Sequence, residues 1–306
     1  MMPISGNTDT IDERNVVIQP LSKFWFQSKV AGVDVLRLDL LHPVVSGNKW
    51  YKLRLNMAYA IDNGFKTVVT FGGGYSNHLV ATAYAAQMFG LRSGGVVRGV
   101  YAEPTATLND CQRFGMELHF VTKDFYGNKG DAGFLKELTA DFDSTYIVPE
   151  GGANERGRTG AGLIDRFVSK KYTHIALAVG TGTTLAGLRN KLPLQQKILG
   201  FAPFKNAGSM AADINHHILP EKQRAWELLV KWHFGGFGKR TPELVEFMND
   251  FYRETHIPLD IVYTSKMMFG IRDMLEACEF NSADRILCIH SGGLQGNSSV
   301  KDLLVY

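Results

Sequence analysis

The chain lacks the features that would tie it to a membrane, a metal, a disulfide framework or a nucleic acid. Its 306 residues include three cysteines, Cys111, Cys278 and Cys288, odd in number, far apart and without the short repeat of a metal site. Reduced thiols in a cytoplasmic protein are the expectation. No apolar run approaches the ~20 residues that cross a bilayer, and the polar opening does not read as a signal peptide. Basic and acidic side chains nearly balance, 33 against 30, for a formal net charge of +3. No basic run or interleaved aromatic stripe stands out, so nucleic acid is not an expected partner. Internal repeats and low-complexity segments are also missing, which excludes solenoids and tails.

What is present is a globular composition, 45% hydrophobic and long enough for two lobes. The polar opening to Arg14 is expected to fray. Short strands are expected at 16–18 and 33–38. A helix is expected from Lys49 to about Asn63, because Trp50, Leu53, Met57 and Ile61 recur at spacings of three and four and Gly64 follows. Strands then alternate with helices: strands at 67–71, 95–97, 117–121 and 145–148, helices at 76–89, 107–114 and 132–142. A second series begins at Gly151-Gly152, with helices at 154–170 and 185–192 and strands at 174–179 and 197–201. Helices at 224–232 and 243–255 and a closing strand at 285–290 complete the reading. This alternation predicts an α/β protein with two open, twisted parallel-sheet lobes, residues 1–54 with 151–306 and residues 55–150. In such sheets ligands bind beyond the carboxyl ends of strands, so the loops there carry the candidates.

Lys49 follows Val45-Ser46-Gly47-Asn48, a small-residue turn at the mouth of its helix. Partial desolvation there would lower its pKa toward nucleophilic use and Schiff-base chemistry; a solvated surface lysine is the plainer alternative. Gly72-Gly73-Gly74-Tyr75-Ser76-Asn77-His78 joins a strand to a helix, with Ser76 placed as N-cap and the glycines opening backbone to a flat ligand. An ordinary capped turn reads as well, and His78 reads more readily as a structural histidine than as a catalyst. Gly180-Thr181-Gly182-Thr183-Thr184 offers backbone N–H groups and hydroxyls at a helix start, an anion cradle suited to phosphate. No lysine follows its last glycine, so it is not a Walker loop, and the acidic residue of a dinucleotide fold is missing. Tyr263-Thr264 and His290-Ser291-Gly292-Gly293 each read as a strand-end loop.

Together these five segments, in this order, resemble the 1-aminocyclopropane-1-carboxylate deaminase and D-cysteine desulfhydrase family, from about Val33 to the C-terminus. The resemblance implies a tryptophan-synthase-β-like fold (fold type II of the pyridoxal 5'-phosphate enzymes), that cofactor, and a homodimer. It implies that Lys49 holds the cofactor as a Schiff base and moves protons, and that Asn77 bonds its ring oxygen. Gly180, Thr181, Gly182, Thr183 and Thr184 would cup its phosphate, and Thr264 and Ser291 would lie near its pyridine nitrogen. Ser76 and Tyr263 would act on the substrate, with Asn77, His78, Tyr75 and Phe237 around it. The activity implied is lyase-type deamination of a small amino acid, by β-elimination to pyruvate, ammonium and sulfide with a final hydrolysis of the enamine; the alternatives are ring opening of 1-aminocyclopropane-1-carboxylate or a non-catalytic binding protein. A nucleotide-binding protein using the 180–184 loop is a weaker rival. Departures from the family pattern are Tyr75 for a glutamine, Tyr51-Lys52-Leu53-Arg54 for Arg-Lys-Leu-Glu, and Phe237 for a second tyrosine. Ring-opening relatives carry glutamate where Thr264 stands and leucine where Ser291 stands. Elimination of a D-cysteine-like substrate is therefore expected over ring opening.

Overall fold

A computed structural model describes residues 11–27, 29–139 and 142–306. The first ten residues of the opening lie outside this range. Beyond them, Glu13 is held by Arg54 and Arg166 at 3.1 and 2.8 Å.

In chain order, β1 (Val17–Pro20), α1 (Lys23–Phe26) and β2 (Gly32–Arg37) lead to α2 (Asn48–Asp62). Next come β3 (Thr67–Gly73), α3 (Asn77–Met88), β4 (Arg92–Arg98), α4 (Ala106–Arg113), β5 (Met116–Val121), α5 (Lys123–Gly127), α6 (Ala132–Leu138) and β6 (Thr145–Ile147). The chain then forms α7 (Glu155–Gly162), β7 (His174–Ala178), α8 (Thr183–Lys191), β8 (Lys197–Phe201), α9 (Met210–Asn215) and β9 (Trp226–Leu229). It closes with α10 (Pro242–Thr255), α11 (Thr264–Glu276) and β10 (Arg285–His290).

The strands form two sheets, ordered β1-β2-β10-β7-β8-β9 and β5-β4-β3-β6. Every pairing is parallel except β1 with β2 at an edge. Parallel sheets are covered on both faces, and their inner strands read as apolar runs: β7 (HIALA) and β10 (RILCIH) are buried almost throughout. α2 packs against both α3 and α7, so the boundary expected between residues 54 and 55 falls inside one helix. α3 is buried all round over residues 78–86, and its alanines let flanking elements approach closely.

Two expectations fail locally. Residues 226–229 form edge strand β9 rather than a helix. Trp226 and Leu228 pack into one cluster while Leu229 packs into another, a two-residue alternation that a helix cannot supply. The helix expected over 154–170 stops at Gly162 and continues as a 3-10 segment to Phe167. Gly160 and Gly162 there admit backbone so close that a Cβ on Gly160 would stand 2.0 Å from the Tyr51 carbonyl oxygen.

Candidate active site

The loop after β10 meets the start of α2. Gly47 has φ 63°, and a Cβ there would lie 1.9 Å from the Ser291 carbonyl oxygen. That oxygen accepts from the Asn48 backbone N–H at 3.3 Å. Only glycine fits both the left-handed backbone and the approach. Asn48 Nδ2 donates to Thr184 Oγ1 at 2.9 Å, fixing α2 to the first turn of α8, and Asn48 Oδ1 accepts from Lys49 Nζ at 2.9 Å.

Lys49 is half-buried. Desolvation lowers its pKa to about 8, against a smaller opposing pull from the Asp260 carboxylate. A lysine so tuned keeps a usable fraction of neutral amine near neutral pH.

α8 begins without a side-chain cap, on Gly182 at φ 76°. Its first N–H groups have no intrahelical partners, and Thr183 and Thr184 stand beside them, 3% and 4% exposed. Thr181 and Thr183 share a hydroxyl hydrogen bond of 2.7 Å. The positive end of the helix dipole and converging donors fit a phosphate. A Cβ on Gly151 would meet Thr181 Cγ2 at 2.7 Å, and one on Gly152 would meet Lys52 Cβ at 3.2 Å, so the turn after β6 borders this cup.

Opposite lies the start of α3. Ser76 Oγ caps it, accepting from the Leu79 N–H at 3.3 Å. Asn77 Nδ2 donates to the Gly293 carbonyl at 3.2 Å, while its buried Oδ1 has no partner among the described residues. A buried orphan of this kind is costly unless a ligand completes it. The lysine, the uncapped helix start and this amide together fit pyridoxal phosphate.

His78 is placed differently from the other candidates. It is 4% exposed, with Nε2 2.9 Å from Thr70 Oγ1. That hydroxyl donates its proton to the Val148 carbonyl at 2.7 Å, so Nε2 carries the hydrogen between them. Burial, with Lys52 and then Lys49 nearby, lowers its pKa to about 3. His78 is thus a neutral anchor between α3 and β3, facing away from open solvent. Tyr75 is more than half exposed.

Tyr263 and Thr264 stand at the N-terminus of α11 rather than at a strand end. The reason is Asp260, 1% exposed, whose carboxylate accepts from the N–H groups of Val262, Tyr263 and Thr264 at 2.7–3.0 Å. Thr264 Oγ1 donates to the same carboxylate at 2.6 Å and accepts from the Asp260 N–H at 2.8 Å. The Thr264 proton is therefore committed to Asp260. Ser291 is 8% exposed at the end of β10. The Tyr263 hydroxyl lies 3.5 Å from the Cβ position of Gly180, and burial, then Asp260 and Glu150, raises its pKa. Phe237 stands edge-on to Tyr263 at 5.8 Å and stacks on Phe204 at 5.5 Å. Its loop is held by Lys266 Nζ, which donates to the carbonyls of His233 and Gly236 at 2.9 and 2.8 Å.

Three groups were not singled out from sequence. Asn48 and Asp260 tie loops together through partners distant in sequence or hidden in a helix cap. Lys52 is 5% exposed and makes no ion pair among the described residues. Burial, and then the charge of Lys49, lowers its pKa well below the ordinary lysine value. The available signal was its spacing, three residues after Lys49 on the buried stripe of one helix.

Two lobes of parallel sheet with a lysine, a phosphate-type helix start and an amide between them define a cofactor-dependent α/β enzyme. The chain belongs to the pyridoxal-phosphate dependent enzyme family, which matches residues 19–292. A Pyrococcus horikoshii protein named provisionally as a 1-aminocyclopropane-1-carboxylate deaminase is 30% identical over 91% of this chain and 90% of its own. The bifunctional D-cysteine desulfhydrase/1-aminocyclopropane-1-carboxylate deaminase of Arabidopsis thaliana, a mitochondrial protein, is 28% identical over 86% of this chain and 72% of its own. A solved structure of an ACC deaminase homologue aligns with a TM-score of 0.79 at 27% identity, over 95% of this chain and 94% of that one. Among the described residues no helix is long and apolar enough to cross a membrane.

Proposed function

We propose that this enzyme is a lyase that removes a β-substituent from a small amino acid, with D-cysteine-like compounds preferred. The observation that carries the reading is the convergence on Lys49 of a depressed pKa, the Asn48–Thr184 link and the uncapped start of α8. When bound, the cofactor withdraws electrons from the substrate Cα, so that the Cα proton becomes removable. Lys49 Nζ is the base that takes this proton as the β-substituent leaves Cβ with the electron pair of its bond, and the proton passes on to the departing group. Gly182, Thr183 and Thr184 hold the phosphate, with Gly180 and Thr181 forming the approach. Lys52, behind Gly152 and one residue from the Gly151–Thr181 contact, gives the cup a countercharge once the anion arrives. The Asn77 amide orients the ring, Ser76 Oγ and the adjacent backbone orient the substrate carboxylate, and the Tyr263 hydroxyl faces the reacting side. Ser291 would lie near the pyridine nitrogen.

Residues 1–54 with 151–306 serve as the cofactor lobe and residues 55–150 as the substrate-side lobe. A cytoplasmic homodimer is the form in which we expect the enzyme to work. A final hydrolysis frees pyruvate and ammonium, but the relatives' names give no support to a hydrolase label, and the bond-breaking step proposed is an elimination.

Phe237 favours elimination, since it faces Tyr263 with a bare ring and adds no second hydroxyl for ring opening. Ring opening is the second reading, supported by Asp260, whose buried carboxylate supplies negative charge directly behind Thr264. Specificity constants decide between them. D-Cysteine should exceed 1-aminocyclopropane-1-carboxylate; the reverse order would refute the preference, and turnover of neither would leave a binding function.

A further inference from the structure

The rim of the smaller lobe carries a cation that the reaction above does not use. Arg98 ends β4 and pairs in register with Gly73, three residues before Ser76. Its side chain is exposed, and its Nη2 lies 3.8 Å from where a Cβ on Gly73 would stand, the only atom within 4 Å that this Cβ would meet among the described residues. The space beside this Nη2 at Gly73 is therefore uncrowded. The guanidinium carbon lies 5.7 Å from the ring centre of Tyr126, which is fixed in a buried cluster with Phe71 and Val96. That ring orients the fork without consuming its donors. The backbone behind it is pinned as well: Tyr101 Oη donates to the Arg98 carbonyl at 3.2 Å and accepts from the Gly74 N–H at 2.9 Å.

The nearest acid on this rim is already neutralised. Glu150, after β6, pairs with Lys129, whose Nζ also lies 4.6 Å from the centre of the Tyr126 ring. Arg98 itself has no carboxylate within ion-pair distance among the described residues. Of the three charges, Arg98, Lys129 and Glu150, one positive charge is left over. Glu150 is followed by Gly151, where an added Cβ would meet Thr181 Cγ2 at 2.7 Å, so this rim is continuous with the proposed site.

We infer that Arg98 is a specificity-determining residue that receives an anionic group on the distal end of the substrate's β-substituent. The inference rests on the proposed amino-acid site and names its substrate class: amino acids with a carboxylate or comparable anion beyond Cβ. Arginine's planar fork matches a carboxylate bidentately, which a neutral isostere cannot reproduce.

The test uses the holoenzyme and a matched pair, S-(carboxymethyl)cysteine and its amide S-(carbamoylmethyl)cysteine, each as D- and L-forms. The readouts are kcat/KM for keto acid release and, for any form not turned over, the dissociation constant from the change in cofactor absorbance. Wild type should favour the carboxylate. In R98M the carboxylate should lose about 10- to 100-fold, the range of one charge-assisted contact, while the amide changes by less than about twofold. R98K should recover part of the loss. Equal effects on both compounds, or on neither, would overturn the assignment, as would wild-type binding of neither while D-cysteine is still turned over. A wild-type protein that takes up no pyridoxal phosphate would instead overturn the site beneath it.

Discussion

In the proposed reaction Lys49 acts through its unprotonated amine, and its surroundings set when that form exists. Its pKa falls from 10.5 to about 8 because burial penalises the ammonium. Between those values the unfolded chain binds more protons than the folded one, so the cofactor-free protein gains stability as pH rises through that window. Thermal unfolding across pH 7 to 10 should show this rise (from about 8 upward), and Lys49→Met should flatten it; an unchanged slope would place the shift elsewhere. The rate of cofactor capture should grow about tenfold per pH unit below 8 and level off above. His78 gives a signature of the same sign in a more acidic window. Held neutral with a pKa of about 3, it is protonated first in the unfolded chain, so stability falls as pH drops from 6.5 toward 3. His78→Asn should make acid unfolding shallower, and should leave substrate preference unchanged if His78 is an anchor rather than a substrate ligand.

At the scale of elements, the site is held by contacts between the starts of helices and the ends of strands. Gly47→Ala would set a Cβ against the Ser291 carbonyl at a left-handed φ, and should destabilise the protein by more than about 2 kcal/mol and weaken cofactor retention. Denaturant unfolding with and without cofactor measures both. Thr183→Val with Thr184→Val removes two hydroxyls from the start of α8 and should lower cofactor affinity more than it alters the ranking of substrates; unchanged retention would place the phosphate elsewhere. The same elements show what the sequence could carry. Short apolar runs marked β3, β7, β8 and β10, and the Ser76 cap marked α3, because those signals are local. β9 was read as a helix because Trp226, Leu228 and Leu229 sit in a short apolar stretch whose period only the β8 pairing reveals. The start of α11 was missed because its N-cap function comes from Asp260, four residues before Thr264, folding its carboxylate back onto three N–H groups. Lys52 does not stand out in sequence, since burial of a lysine depends on α7 and the turn at Gly152 packing over it.

Across the whole molecule, a six-stranded sheet, parallel except for edge strand β1, and a four-stranded parallel sheet are joined by α2, which packs on α3 and on α7. The order of the five glycine and hydroxyl segments was legible because each sits at a strand end or helix start, where backbone geometry demands small residues. The rim around Arg98 was not, since its charge balance depends on Lys129 and Glu150 arriving from separate loops. The central claim is that these segments place one particular lysine on the cofactor. The holoprotein treated with borohydride, digested and mapped by mass spectrometry tests it directly. The account predicts a reduced pyridoxyl phosphate adduct on Lys49; an adduct on Lys52 or Lys266, or none on a protein that has bound the cofactor, would contradict it.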